Sequence, residues 1–105
     1  MAKPAQILTR AIRDYLGMTG WLSWKNQSGG FRVEDRYIAG QQAGLPDLMA
    51  VKNGRLLCIE VKAGRDRLTD HQTAWLANAQ AHGAIVIVAH SVDEVIAVLD
   101  KKASP

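Results

Sequence analysis

The sequence predicts an α/β fold, a mixed β-sheet flanked on both faces by helices, in the order α-β-β-β-α-β-α. Three observations carry that expectation. Asn53-Gly54 sits between two apolar runs, a strong hairpin signature, because a type I′ turn needs positive φ at both central residues. Two downstream segments open with helix-capping patterns, Thr69 with Gln72 and Ser91 with Glu94. Between them, Ala84 to Ala89 reads AIVIVA, the length and composition of a buried strand.

The elements follow in chain order. From Ala5 to Leu16, the residues Leu8, Ala11, Ile12, Tyr15 and Leu16 recur at the spacing of one helical face. Pro4 suits the first turn of that helix, and Gly17 and Gly20 punctuate its end. Trp21 to Lys25 reads as a strand. Ser28 to Gly44 has no clear period and holds Gly29, Gly30, Gly40 and Gly44, with room for one short strand around Phe31 to Val33. A long irregular stretch in a small domain is usually functional or mobile.

The hairpin strands are expected near Leu48 to Val51 and Leu56 to Val61. The second is apolar on both faces up to Glu60, as in a strand sandwiched between layers. Thr69 then caps a helix that Gly83 ends. Strand, helix and AIVIVA form a βαβ crossover, so those two strands should run parallel. Ser91 opens the last helix, with Val92, Val95, Ile96 and Leu99 inward, and Lys101 to Pro105 is a polar tail expected to fray.

A chain of 105 residues is expected to be one domain, with its core at about residues 5–100. Its 48% hydrophobic and 22% charged content is ordinary for a globular protein. The net charge of +3 is a mild pointer to a polyanionic partner. Cys58 is the single cysteine, which excludes an internal disulfide and a cysteine-based zinc cluster, and a buried thiol fits a reducing, cytoplasmic setting. The N-terminus lacks a signal-peptide pattern and the longest apolar run is too short to span a bilayer, so no membrane association is expected.

Chemistry enters through the hairpin. A turn centred on Asn53-Gly54 sets Asp47 directly opposite Glu60, with Cβ atoms roughly 4.5–5.5 Å apart. Lys62, two residues beyond Glu60, points to the same side. Each of these alone would read as a solvated surface charge, and a carboxylate–lysine pair as plain sheet stabilisation. Two opposed carboxylates among apolar neighbours are different, because they repel unless a cation sits between them. Mg²⁺ takes oxygen ligands and needs only one or two protein carboxylates, so Asp47 and Glu60 suffice, with the Val61 carbonyl as a candidate third ligand. A cation there, with Lys62 to hold or deprotonate water or to neutralise developing charge, suits phosphodiester hydrolysis.

Pro46-Asp47 followed by Glu60-Val61-Lys62 reproduces the PD-(D/E)xK motif of a nuclease superfamily. With GLPDLMAV, IEVKAGRDRLTDHQTAWL and the segment from Gly83 to Val98, nearly the whole chain resembles the virus-type replication-repair nuclease (VRR-NUC) domain. The resemblance implies a restriction-endonuclease-like fold and Mg²⁺- or Mn²⁺-dependent DNA cleavage. Asp47 and Glu60 take the metal-ligand roles, Lys62 that of the catalytic lysine, and Gln72 matches the family's glutamine on the next helix. Gln72 also completes the Thr69 capping box, and one glutamine is not expected to serve both ends. Many relatives carry a glutamate on the first helix; here no glutamate precedes Glu34, leaving Gln6 in about the right region and Asp14 as that helix's one acid.

Arg65 and Arg67, with Lys25, Arg32 and Arg36, are candidate phosphate contacts that would position DNA without reading sequence. Their alternative is ordinary solubilising charge. His71, His82 and His90 lack metal spacing, and Trp21, Trp24 and Trp75 are expected in the core or an interface rather than as base-stacking platforms. Stand-alone members of the family resemble Holliday junction resolvases, which implies branched DNA as substrate, a homodimer with two sites about a two-fold axis, and a phage or mobile-element setting. A flap or single-strand nuclease with the same site, and a non-catalytic DNA-binding module of the same fold, are the competing readings.

Overall fold

The computed structural model describes residues 3–26, 31–34, 36–38 and 43–103, excepting the side chains of 31–33, 36–38, 102 and 103. Its elements are α1 (Pro4–Met18), β1 (Leu22–Lys25), β2 (Phe31–Val33), β3 (Arg36–Ile38), β4 (Leu48–Lys52), β5 (Arg55–Val61), α2 (Asp70–Ala81), β6 (Ile85–Ala89) and α3 (Val92–Ala103). The main sheet is ordered β1-β4-β5-β6, antiparallel except for the parallel β5–β6 pair, as the βαβ pattern requires.

The turn fixes the register. Asn53 and Gly54 have φ of 50° and 78°, the positive pair of a type I′ turn, and Lys52 pairs with Arg55. Counting outward, Met49 faces Cys58 and Leu48 faces Ile59, so Asp47 and Glu60 come next. The stretch expected to be largely irregular holds two strands rather than one. β2 and β3 pair with each other in a separate two-stranded sheet, turning through Glu34 at φ 55°. A three-residue strand is too short for its alternation to stand out in a glycine-rich segment.

One face of the main sheet carries Leu48, Ala50, Leu57, Ile59, Val61, Ile85, Ile87 and Ala89, packed with Ile12 and Leu16 of α1 and Val95 and Leu99 of α3. On the opposite face are Cys58 and Glu60, both buried, and α2 packs there against β6 through Leu76. α2 begins at the expected cap, with Thr69 Oγ1 accepting from Gln72 N at 3.1 Å. It ends in a Schellman pattern, with Gly83 N bonded to Gln80 O and Ala84 N to Ala79 O. At α3, Glu94 reaches past Ser91 to accept from His90 N at 3.0 Å, one residue beyond the expected box, which holds the Glu94 carboxyl below its ordinary range. Among the described residues no helix is long and apolar enough to cross a membrane.

Candidate active site

Asp47 and Glu60 meet where β4 begins and β5 ends, on the face that α2 partly covers. Their contacts are reciprocal. Asp47 N donates to Glu60 Oε1 at 3.2 Å, and Val61 N donates to Asp47 Oδ2 at 2.9 Å. Backbone hydrogen bonding thus continues past the last ladder pair through side chains, which fixes both carboxylates. The Val61 N–H points toward Asp47, and N–H and C=O of one strand residue point the same way, so the Val61 carbonyl lies on that side too. Lys62 N is turned to the other side, onto Ala89 O at 2.9 Å.

Glu60 is 1% exposed, and its Oε2 is buried without a hydrogen-bond partner. The nearest described cation is Lys62 Nζ, at 3.9 Å. Burial, reinforced by the hydrogen bond and repulsion from Asp47, pushes the Glu60 carboxyl from an ordinary 4.5 up to about 8. Without a cation, Glu60 therefore keeps its proton near neutrality. A buried carboxylate oxygen with an unused lone pair, beside a second carboxylate, is a donor set that suits a hard divalent cation. Among the described residues no cluster of three or more His, Cys, Asp or Glu side chains forms, so the donors here are two carboxylates and a carbonyl. Mg²⁺, which keeps several waters, fits that count.

Lys62 Nζ donates to Gln72 Oε1 at 3.0 Å, and Thr69 N donates to the same oxygen at 2.9 Å. The expectation that Gln72 must choose between the cap and the site is therefore corrected. A carbonyl oxygen has two lone pairs, and α2 begins close enough to β5 for one atom to accept both donors. α2 is thereby hydrogen-bonded to the site lysine through its own N-terminal cap.

Two residues that sequence reasoning did not assign complete the frame. Asn26, 6% exposed, donates from Nδ2 to Pro46 O at 2.8 Å, and its N–H donates to Asp47 O at 2.9 Å. It holds the Pro46-Asp47 segment against β1; nothing in its flanking residues announces this, because the partner lies twenty positions away. Gly44, at φ +83°, runs against the first turn of α2, where a Cβ would stand 2.2 Å from His71 O. Only glycine permits that approach. Its place in GLPD was the signal available.

Arg65 and Arg67 are exposed in the loop between Lys62 and α2. Lys25 is not brought to the carboxylates. It pairs with Leu48 and so shares the α1 face, where it lines a hollow of about 960 Å³ with Arg10 and Arg13. The Arg32 and Arg36 side chains lie outside the described residues. Gln6 Oε1 accepts from Lys3 N at 3.2 Å, closing the cap of α1, and Asp14 is exposed on that helix. Of the tryptophans, Trp21 packs on the core and Trp75 is half-buried, whereas Trp24 is 39% exposed and so is not a core residue of the single chain.

A four-stranded mixed sheet flanked by helices, with opposed carboxylates and a lysine at the end of its hairpin, is a restriction-endonuclease-like fold. The family model of the VRR-NUC domain matches residues 10–93, and the chain belongs to that family. It is a nuclease-type domain. A comparison with curated proteins gives no match.

Proposed function

We propose that this protein is a metal-dependent, structure-selective DNA endonuclease, similar to a Holliday junction resolvase, acting as a homodimer. The observation that carries the reading is the buried Glu60 Oε2 beside Asp47, which has no hydrogen-bond partner and only the Lys62 ammonium 3.9 Å away, an arrangement that costs stability unless a closer cation uses it. Asp47, Glu60 and the Val61 carbonyl would hold Mg²⁺, with Mn²⁺ able to replace it. When bound, such a cation supplies Lewis-acid polarisation of a phosphoryl oxygen and acidifies the attacking water.

The chain's own residues do the rest. Gln72 Oε1 and Glu60 orient the Lys62 ammonium, which keeps a donor for the scissile phosphate and neutralises charge as it develops there. Asp47 and Glu60 are held rigidly by the reciprocal backbone bonds, so little reorganisation accompanies the reaction. Arg65 and Arg67 lie in the loop directly after the motif, where they would take flanking phosphates.

The test is a cleavage panel of four-way junction, flap, splayed and linear DNA in Mg²⁺, with Asp47→Asn and Lys62→Ala. Wild type should cut the junction, and both variants should lose at least about a hundredfold in rate. Preferred cutting of the flap would favour the single-strand reading, and binding without cutting by every form would favour a non-catalytic module.

A further inference from the structure

β1 is the edge strand of the main sheet, and its alternation places Leu22 and Trp24 on the same face as the carboxylates. The register shows why: Trp24 pairs with Met49, Met49 pairs with Cys58, and Glu60 follows Cys58 by two on that face. Directly paired residues in antiparallel strands share a face. α2 packs on β6, at the far side of the sheet, and among the described residues no helix makes an extensive contact with this half of the face. Leu22 is 68% exposed and Trp24 39%. Met49 and Val51, their partners on β4, are only partly buried.

Exposing a tryptophan at such a position forgoes burial of a large apolar surface. From standard strand geometry its Cα is about 8 Å from that of Asp47, one strand over and two residues along. The face is thus continuous with the candidate site. The exposed guanidinium groups of Arg65 and Arg67, after β5, and the net charge of +3 favour a polyanion there over an acidic or neutral peptide. An indole beside a basic, phosphate-handling site is what a sequence-tolerant contact to an unpaired base needs, because every base has a π-face. A paired base is already stacked and offers no free face.

We propose that Trp24, with Leu22 beside it, is a stacking platform for an unpaired nucleobase next to the scissile phosphate. This rests on the nuclease reading of the neighbouring site and adds to it the feature of the substrate that is recognised. The ligand is a DNA strand with at least one unstacked base at the branch, and selectivity against continuous duplex follows from stacking rather than from base-edge hydrogen bonds.

The experiment measures binding, separately from cleavage. Splayed DNA carrying one 2-aminopurine at the unpaired branch position is titrated in Ca²⁺ with the full chain, alongside an unmodified, fully paired duplex. Wild type should quench the 2-aminopurine on binding. Trp24→Phe should keep the quenching and bind within about threefold, whereas Trp24→Leu should lose quenching and bind the splayed DNA about 5- to 100-fold more weakly, with duplex affinity unchanged. Leucine preserves apolar bulk, so its loss separates stacking from packing, and thermal melts verify that each variant folds. Equal binding of both DNAs by wild type and Trp24→Leu overturns the proposal. So does a drop in oligomeric state on Trp24→Leu, which would give the face to a second copy of the chain. A wild type that quenches yet cuts no DNA in Mg²⁺ would sink the nuclease reading and leave the stacking one standing.

Discussion

Glu60 is the residue on which most of the proposed chemistry turns. Its pKa of about 8 in the folded protein, against an ordinary 4.5, means that the folded state binds more protons than the unfolded state between those values. Without metal, stability is therefore greatest below about pH 4.5 as far as this group is concerned, and falls as pH rises toward 8, with a slope of up to about 1.4 kcal/mol per pH unit. Thermal melts in a chelator should show that decline, and Glu60→Gln should flatten it. A Glu60→Gln protein with the wild-type slope would place the titration elsewhere. Adding Mg²⁺ should raise the melting temperature of wild type more at pH 8 than at pH 5, because deprotonation no longer opposes binding there.

Gln72 makes a second residue-scale point. The capping pattern and the family motif each predict one use for it, and one oxygen serves both because α2 starts against the end of β5. Gln72→Ala should cost about 1 kcal/mol of stability through the lost cap and should also lower kcat more than it raises KM, since Lys62 loses its acceptor. A capping role alone would leave kcat unchanged once the protein is folded.

At the scale of elements, the hairpin was legible from sequence because Asn53-Gly54 dictates turn type, turn type dictates register, and register decides that Asp47 faces Glu60. The caps of α2 and the parallel pairing of β6 followed from equally local signals. The β2–β3 hairpin was only half visible, because three-residue strands carry too little alternation. Asn26 was invisible, since a side-chain bond to a distant carbonyl leaves no periodic trace. Its removal is a fair test of the frame. Asn26→Ala leaves the buried Pro46 carbonyl without its donor and should cost about 1–3 kcal/mol, read from chemical denaturation. The loop–helix contact at Gly44 is tighter still. Gly44→Ala meets both a disfavoured φ and the His71 carbonyl, and should destabilise by more than about 2 kcal/mol; a neutral effect would show that the loop does not sit against α2.

For the whole molecule, the sheet separates two unlike faces. One face is closed by α1 and α3 around the apolar core; the other carries the carboxylates, Lys62, the start of α2 and the open half with Trp24. Arg65 and Arg67 are exposed in the loop that links β5 to α2, whereas Lys25 belongs to the first face. Replacing Arg65 and Arg67 together should weaken binding to every DNA alike and reduce the salt slope by about 1–2, while Lys25→Ala should change neither by as much. Two symmetrically placed cuts need two such faces, so sedimentation at micromolar concentration should give a dimer, and a monomer would contradict the resolvase-like assembly. Family membership and the restriction-endonuclease-like sheet make this a nuclease-type domain. Whether Asp47 and Glu60 serve as the metal ligands is then a matter of chemistry that one comparison addresses. Cleavage of a four-way junction in Mg²⁺ by wild type and by Asp47→Asn is the most direct measurement. The account predicts paired cuts by wild type and none by the variant, and equal cutting by both would contradict it.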